Sequence, residues 1–269
     1  MCHAGMGARK ATKLERSLER VFRKAGGRAI RQPSSTHLLG EVIPKEDMAA
    51  LFPGGLNLEE TKKNGVIAIE LADALLLPPS ALKDAVIDEV RTRLPEVDEK
   101  VKEANYYNTI RFDLCLGASF PADSPRQFYL DHVIVHETSE SYQDAMIAHL
   151  EGGEEPTKSM PFRRAETAKH RRYCGLMDLT KHLEKQRVLD FQPSFLFPVI
   201  SALGYVNEDA VKMTRWMHTV MNKCVTTMGD DGIAIGVIKH RYKVDVRNAI
   251  CFGVLRGNAL AMHNVGPFV

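Results

Sequence analysis

Two aspartates sit inside otherwise apolar, β-branched runs: Asp113 in Arg-Phe-Asp-Leu-Cys-Leu and Asp131 in Tyr-Leu-Asp-His-Val-Ile-Val. A carboxylate in a strand that reads as buried is costly unless it is paired, protonated or bound to a cation. If the two strands are neighbours, Asp113 and Asp131 form a small oxygen cage for a hard divalent ion, Mg2+ or Mn2+, completed by a backbone carbonyl and waters. The plainer alternative puts each acid at a strand end, paired with a nearby Arg or Lys. Downstream, RRAETAKHRRY spaces Glu166, Lys169 and Tyr173 at i, i+3 and i+7, on one helical face. That face is either a salt-bridged surface stripe or a catalytic one that delivers Lys169 to a metal-bound water or a scissile phosphate. His132 points away from Asp131 on a strand and reads as a packing residue outside the site. His136 and Glu137 fall at the strand end, near the site or in solvent, and Gln192 before Pro193 is either a water or phosphate contact or a turn residue. The chain has no P-loop, G-x-S-x-G or Rossmann fingerprint.

These residues need elements to position them. Residues 9 to 25 place Leu14, Leu18, Val21, Phe22 and Ala25 at helical spacing, with Gly26-Gly27 as the stop, and a short strand follows over 28–32. Residues 41 to 105 read as an inserted acidic α+β subdomain. It holds a turn at Pro53-Gly54-Gly55, an apolar run from Val66 to Leu77 and a helix over 80–93. Two buried strands are expected over 109–116 and 128–136, joined by a loop over 117–127. Helices over 139–150 and 162–186, a third strand over 187–197 and a helix over 207–223 complete a core of residues 106 to 225. A helical C-terminal extension over 226–269 holds a glycine-rich loop over 228–236 and is largely helical over 242–262.

The chain has 269 residues, 44% of them hydrophobic, and 36 Lys+Arg against 34 Asp+Glu. That balance excludes wholesale disorder and bulk-charge binders such as polybasic tails. The charge is segregated, however. Residues 1 to 40 hold nine Lys/Arg against two acids, residues 41 to 105 eight against fourteen, and residues 158 to 187 nine against three. The two basic blocks, with Arg16, Arg20 and Arg23 in one and Arg163, Arg164, Arg171 and Arg172 in the other, are either solvated helix faces or phosphate contacts for a polyanion. Five scattered cysteines without a C-x-x-C pair argue against a disulfide framework or a structural zinc cluster. No apolar stretch is long enough to span a bilayer, so no membrane role is expected and the expected location is intracellular, nuclear or cytoplasmic.

The order of these motifs resembles the restriction-like endonuclease domain at the C-terminal end of some non-LTR retrotransposon reverse transcriptases, within the PD-(D/E)XK superfamily. The resemblance is carried by Arg111-Phe112-Asp113, Leu130-Asp131, Ser141-Tyr142, Glu166, Lys169, Tyr173, Phe191-Gln192-Pro193, Gly204 and Ala210. It is loose over the first helix and closer over residues 109 to 220. It implies an α/β restriction-endonuclease-like mixed sheet flanked by helices, and a magnesium- or manganese-dependent DNA endonuclease or nickase. Asp113 and Asp131 would be the metal-binding acids, and Lys169 the basic residue moved from strand to helix. Phe112 replaces the proline of the signature. Val133 stands where the lysine of an intact D-x-K would be, which favours an alternative: a domesticated, non-catalytic relative that binds nucleic acid or serves as a structural component of an assembly. RNA as the partner, a homo-oligomer and a longer parent polypeptide all remain compatible with the sequence.

Overall fold

A computed structural model of the chain describes residues 4–96, 110–118, 126–135, 147–149, 151–153, 159–201, 204–227 and 232–263. It is a mixed α/β protein in which helices dominate two small sheets. The chain divides into two compact units. The first comprises residues 1–31, 113–167 and 194–269, and the second residues 32–112 and 168–193.

In the first unit, α1 (Ala4–Lys24) buries Leu14, Leu18, Val21 and Phe22 along one stripe. The helix stops at Gly26, whose φ of +77° is the left-handed conformation that a side chain would strain. The chain then enters β1 (Arg28–Arg31), the edge of a sheet ordered β1-β2-β3-β5, with β2 (Leu114–Ala118), β3 (Arg126–Leu130) and β5 (Gln192–Leu196). The β1-β2 and β2-β3 pairs are antiparallel, with Ala29 opposite Leu116 and Leu114 opposite Leu130. Side chains on one face of this sheet (Ala29, Leu114, Leu116, Leu130 and Leu196) join the α1 stripe in one apolar core. Two more helices close that core. From α7 (Glu208–Thr227) come Met213, Met217 and Val220, and from α8 (Gly232–His263) come Tyr242, Val246 and Ala249. Trp216 locks the layers, its ring 5.1 Å from Phe22 and 4.2 Å from Phe128. The C-terminal helix is thus part of the first unit's core, packed along α1.

The second unit is helical: α2 (Ser35–Leu39), α3 (Lys45–Leu51), α4 (Leu58–Leu76), α5 (Ala81–Thr92) and the part of α6 (Met160–Lys185) beyond residue 167. Among its described residues 41–96 no strand occurs, so the α+β character expected for the insertion is corrected to all-α over this range. The Val66–Leu77 run lies almost entirely on α4, whose N-terminus is fixed by a reciprocal capping box between Asn57 and Glu60. Gly65 and Gly175 let α4 and α6 meet backbone to backbone. A Cβ on Gly175 would lie 2.0 Å from the Thr61 carbonyl oxygen.

Three of the expected strands are corrected, the one expected over 187–197 being confined to Gln192–Leu196. The first begins at Leu114, because residues 110–112 bond elsewhere: the Ile110 N–H donates to the Phe52 carbonyl and the Phe112 N–H to the Pro33 carbonyl. The second breaks in two. The Asp131 N–H donates to the Leu196 carbonyl and the Val133 N–H to the Pro198 carbonyl, and β4 (Val133–Val135) then pairs in parallel with β6 (Val199–Ser201) in a separate two-stranded sheet. The helix expected over 139–150 lies for the most part outside the described residues, and the loop expected over 228–236 is already α8 from Gly232. No helix among the described residues is long and apolar enough to cross a membrane.

Candidate metal centre

The break between β3 and β4 builds the site. Freed from ladder geometry, His132 turns back on Asp113, which sits just ahead of β2. The carboxylate oxygen Oδ2 of Asp113 accepts both the His132 backbone N–H at 2.8 Å and the ring at Nδ1, 2.7 Å away. The expectation that His132 lies outside the site is therefore corrected. Strand alternation would have turned it away, and the strand does not run through this position. The third member comes from α1. Glu15 lies beside Leu14 on the helix's buried side and is 2% exposed. One ligand atom from each of Glu15, Asp113 and His132 lies within 4.8 Å of the other two.

Burial and mutual charge perturb both titratable groups of the cluster that line its cavity. Burial, and then the neighbouring Asp113 charge, push the Glu15 carboxyl up to about 7 against the pull of His132, Arg31 and Arg16. Burial acts to lower the His132 pKa, but attraction and hydrogen bonding to Asp113, with Glu15 and Asp131 adding to it, raise it overall. His132 Nε2 is buried without a hydrogen-bond partner. Beside it runs a narrow cavity walled by Leu14, Leu18, Leu130, Pro198, Ile200 and Met213, in which Glu15 and His132 are the titratable groups. Glu15 offers a carboxylate and His132 an imidazole to a divalent cation, with the second carboxylate, Asp113, on the far ring nitrogen, and the imidazole tilts the preference from Mg2+ towards Mn2+ or a later transition metal. Asp113 holding Nδ1 while Nε2 lacks a partner matches the carboxylate–histidine arrangement that orients metal-binding imidazoles. The residues present fit the ion.

The other candidate residues fall in varied places. Asp131 is buried, 5% exposed, and is not a member of the three-residue cluster, although its charge reaches His132. Glu166 accepts a hydrogen bond from Asn207 Nδ2 at 2.7 Å. Asn207 caps α7, its Oδ1 accepting the Ala210 and Val199 N–H groups. Lys169 and Tyr173 belong to the second unit. Lys169 is half-buried. Tyr173 is fully buried, donating its hydroxyl to the Arg111 carbonyl at 2.7 Å and stacking on Phe112. Gln192 bonds Glu184 at 3.0 Å. Arg16 and Arg20 are exposed on α1, and exposed Arg23 pairs with Glu19 and donates to the Ala29 carbonyl. Arg163, Arg164 and Arg171 are exposed on α6, whereas half-buried Arg172 stacks on the Tyr173 ring. His136, Glu137, Ser141 and Tyr142 lie outside the described residues.

Sequence reasoning missed Glu15 and the turn of His132. For Glu15 a signal existed: an acid next to Leu14 and three residues before Leu18, on the apolar side of a helix otherwise rich in Lys and Arg. The chain matches no family model, no curated protein and no solved structure.

Proposed function

We propose that the chain is a metal-dependent phosphodiesterase of restriction-endonuclease-like type, cutting or nicking DNA with Mn2+ or Mg2+. The observation that carries it is the convergence of Glu15, Asp113 and His132 on one buried point. Glu15 and His132 would hold the cation, and Asp113 would fix the imidazole through Nδ1. A bound divalent cation would lower the pKa of a coordinated water and neutralise charge on the phosphate. The rest falls to the protein. The apolar walls exclude bulk water, which strengthens every charge interaction inside. Arg16 and Arg31 act on Glu15 electrostatically, Arg31 while paired with Glu19 at 3.0 Å, and with Arg20 and Arg28 exposed on the same two elements they would be the cations that meet an approaching phosphate. Support comes from the first unit alone, and no role for Lys169 is needed.

One observation favours the non-catalytic alternative, a nucleic-acid-binding relative. Asp113 Oδ2 satisfies itself on His132, with short contacts to both its N–H and its ring. Titration calorimetry with MnCl2 at pH 7.5 separates the two. The nuclease predicts one Mn2+ per chain, with affinity lost by about 10- to 100-fold in Asp113→Asn. Absence of binding to the wild type would leave the binder.

A further inference from the structure

Among the described residues, two exposed helical faces of opposite charge stand without ion-pair partners. On α8, Val237, Arg241 and Val244 follow one another at i, i+4 and i+7 with Ile238 alongside. Val237 is 63% exposed, and Ile238 and Val244 are 44% and 40% exposed. Lys243 and Arg247, also exposed, add a like-charged i, i+4 pair to this helix. On α5, Leu82 is 73% exposed and shares its side with Ala85 and Glu89, while Asp84 and Asp88 form a like-charged pair of the other sign. No ion pair engages Arg241, Lys243, Arg247, Asp84, Asp88 or Glu89 among the described residues.

Each helix thus leaves apolar side chains in water beside an excess of one charge, the counter-charges Asp245 and Arg91 on the two helices being paired with Lys24 and Asp47. An α8 face against a second α8, or an α5 face against a second α5, would stack like charges. The pairing that neutralises both is α8 of one molecule on α5 of another. We propose that a second copy of this chain docks its acidic α5 face on the basic α8 face, a head-to-tail contact between different surfaces. Such a contact adds further copies unless its rotation closes a ring. Two helix faces lie at the small end of specific interfaces, so association is weak and salt-sensitive.

Sedimentation velocity over a concentration series tests this, with folding of each variant checked by circular dichroism. Wild type should gain mass with concentration and lose it in high salt. Arg241→Glu/Arg247→Glu and Asp84→Arg/Asp88→Arg should each remain monomeric, with association weakened by about tenfold or more. Mixed together, the two variants should associate again, since each then meets an opposite face. A wild type that stays monomeric, association that survives either reversal, or variants that stay apart when mixed would overturn the proposal. A monomeric wild type that instead pellets with phosphatidylserine vesicles would assign the α8 face to lipid and overturn it as well.

Discussion

At Glu15 burial competes with charge, and the outcome has a measurable sign. An acid whose pKa rises on folding contributes stability that is fully present below its unfolded value and lost as pH climbs through the folded one. Glu15 rises from 4.5 to about 7, and His132 is raised as well, so its contribution too is held at low pH and lost at high. The metal-free protein should therefore lose stability from this cluster as pH goes from about 4.5 to beyond 7. Glu15→Gln should remove the Glu15 share, on the order of 3 kcal/mol at most. Urea midpoints at pH 5 and pH 7.5 check this: the drop in stability between the two should be smaller in the variant than in the wild type. An equal drop would mean that Glu15 ionises freely. At this scale the sequence was half legible. Asp113 stood out as a charge inside an apolar run, but its partners did not, because Glu15 is a hundred residues away and the His132 orientation depends on a strand break that β-branched patterning hides.

Between elements, the α4–α6 crossing depends on Gly65 and Gly175. Gly175→Ala drives a methyl into the Thr61 carbonyl, which is backbone and cannot step aside without moving α4. The expected cost is about 1–3 kcal/mol or more. The same change at Gly236, where nothing lies within 4 Å of the new Cβ, should raise stability by roughly 0.5–1 kcal/mol, because α8 gains a better helix former. Thermal melts of the two variants should move in opposite directions. Helices were the readable elements. Caps and apolar spacing, which are local signals, found α1, α5 and α7, with α5 to within a residue at each end, while α1 begins earlier, at Ala4, and α7 ends later, at Thr227. Strand ends were not readable, because they are set by which distant carbonyl accepts each N–H. The Asp131 and Val133 amides choose Leu196 and Pro198, residues far along the chain.

For the whole chain, a formal charge of +2 conceals a basic first helix and an acidic helical segment. Segment charges were visible in the sequence, whereas the division into units was not. Residues 32–40 and 168–193 join the acidic segment in one unit, and the C-terminal helix joins α1 in the other. The resemblance made Lys169 the basic residue moved from strand to helix, to act on a metal-bound water or the phosphate; the groups that converge in the structure come from α1, the approach to β2 and the β3–β4 break, all within the first unit. Conversion of supercoiled plasmid in MnCl2 tests that convergence most directly. Wild type should produce nicked or linear DNA, with rates falling by about 10- to 100-fold in folded Asp113→Asn and Glu15→Gln. Intact plasmid with the wild type, or equal cleavage by all three proteins, would contradict the account.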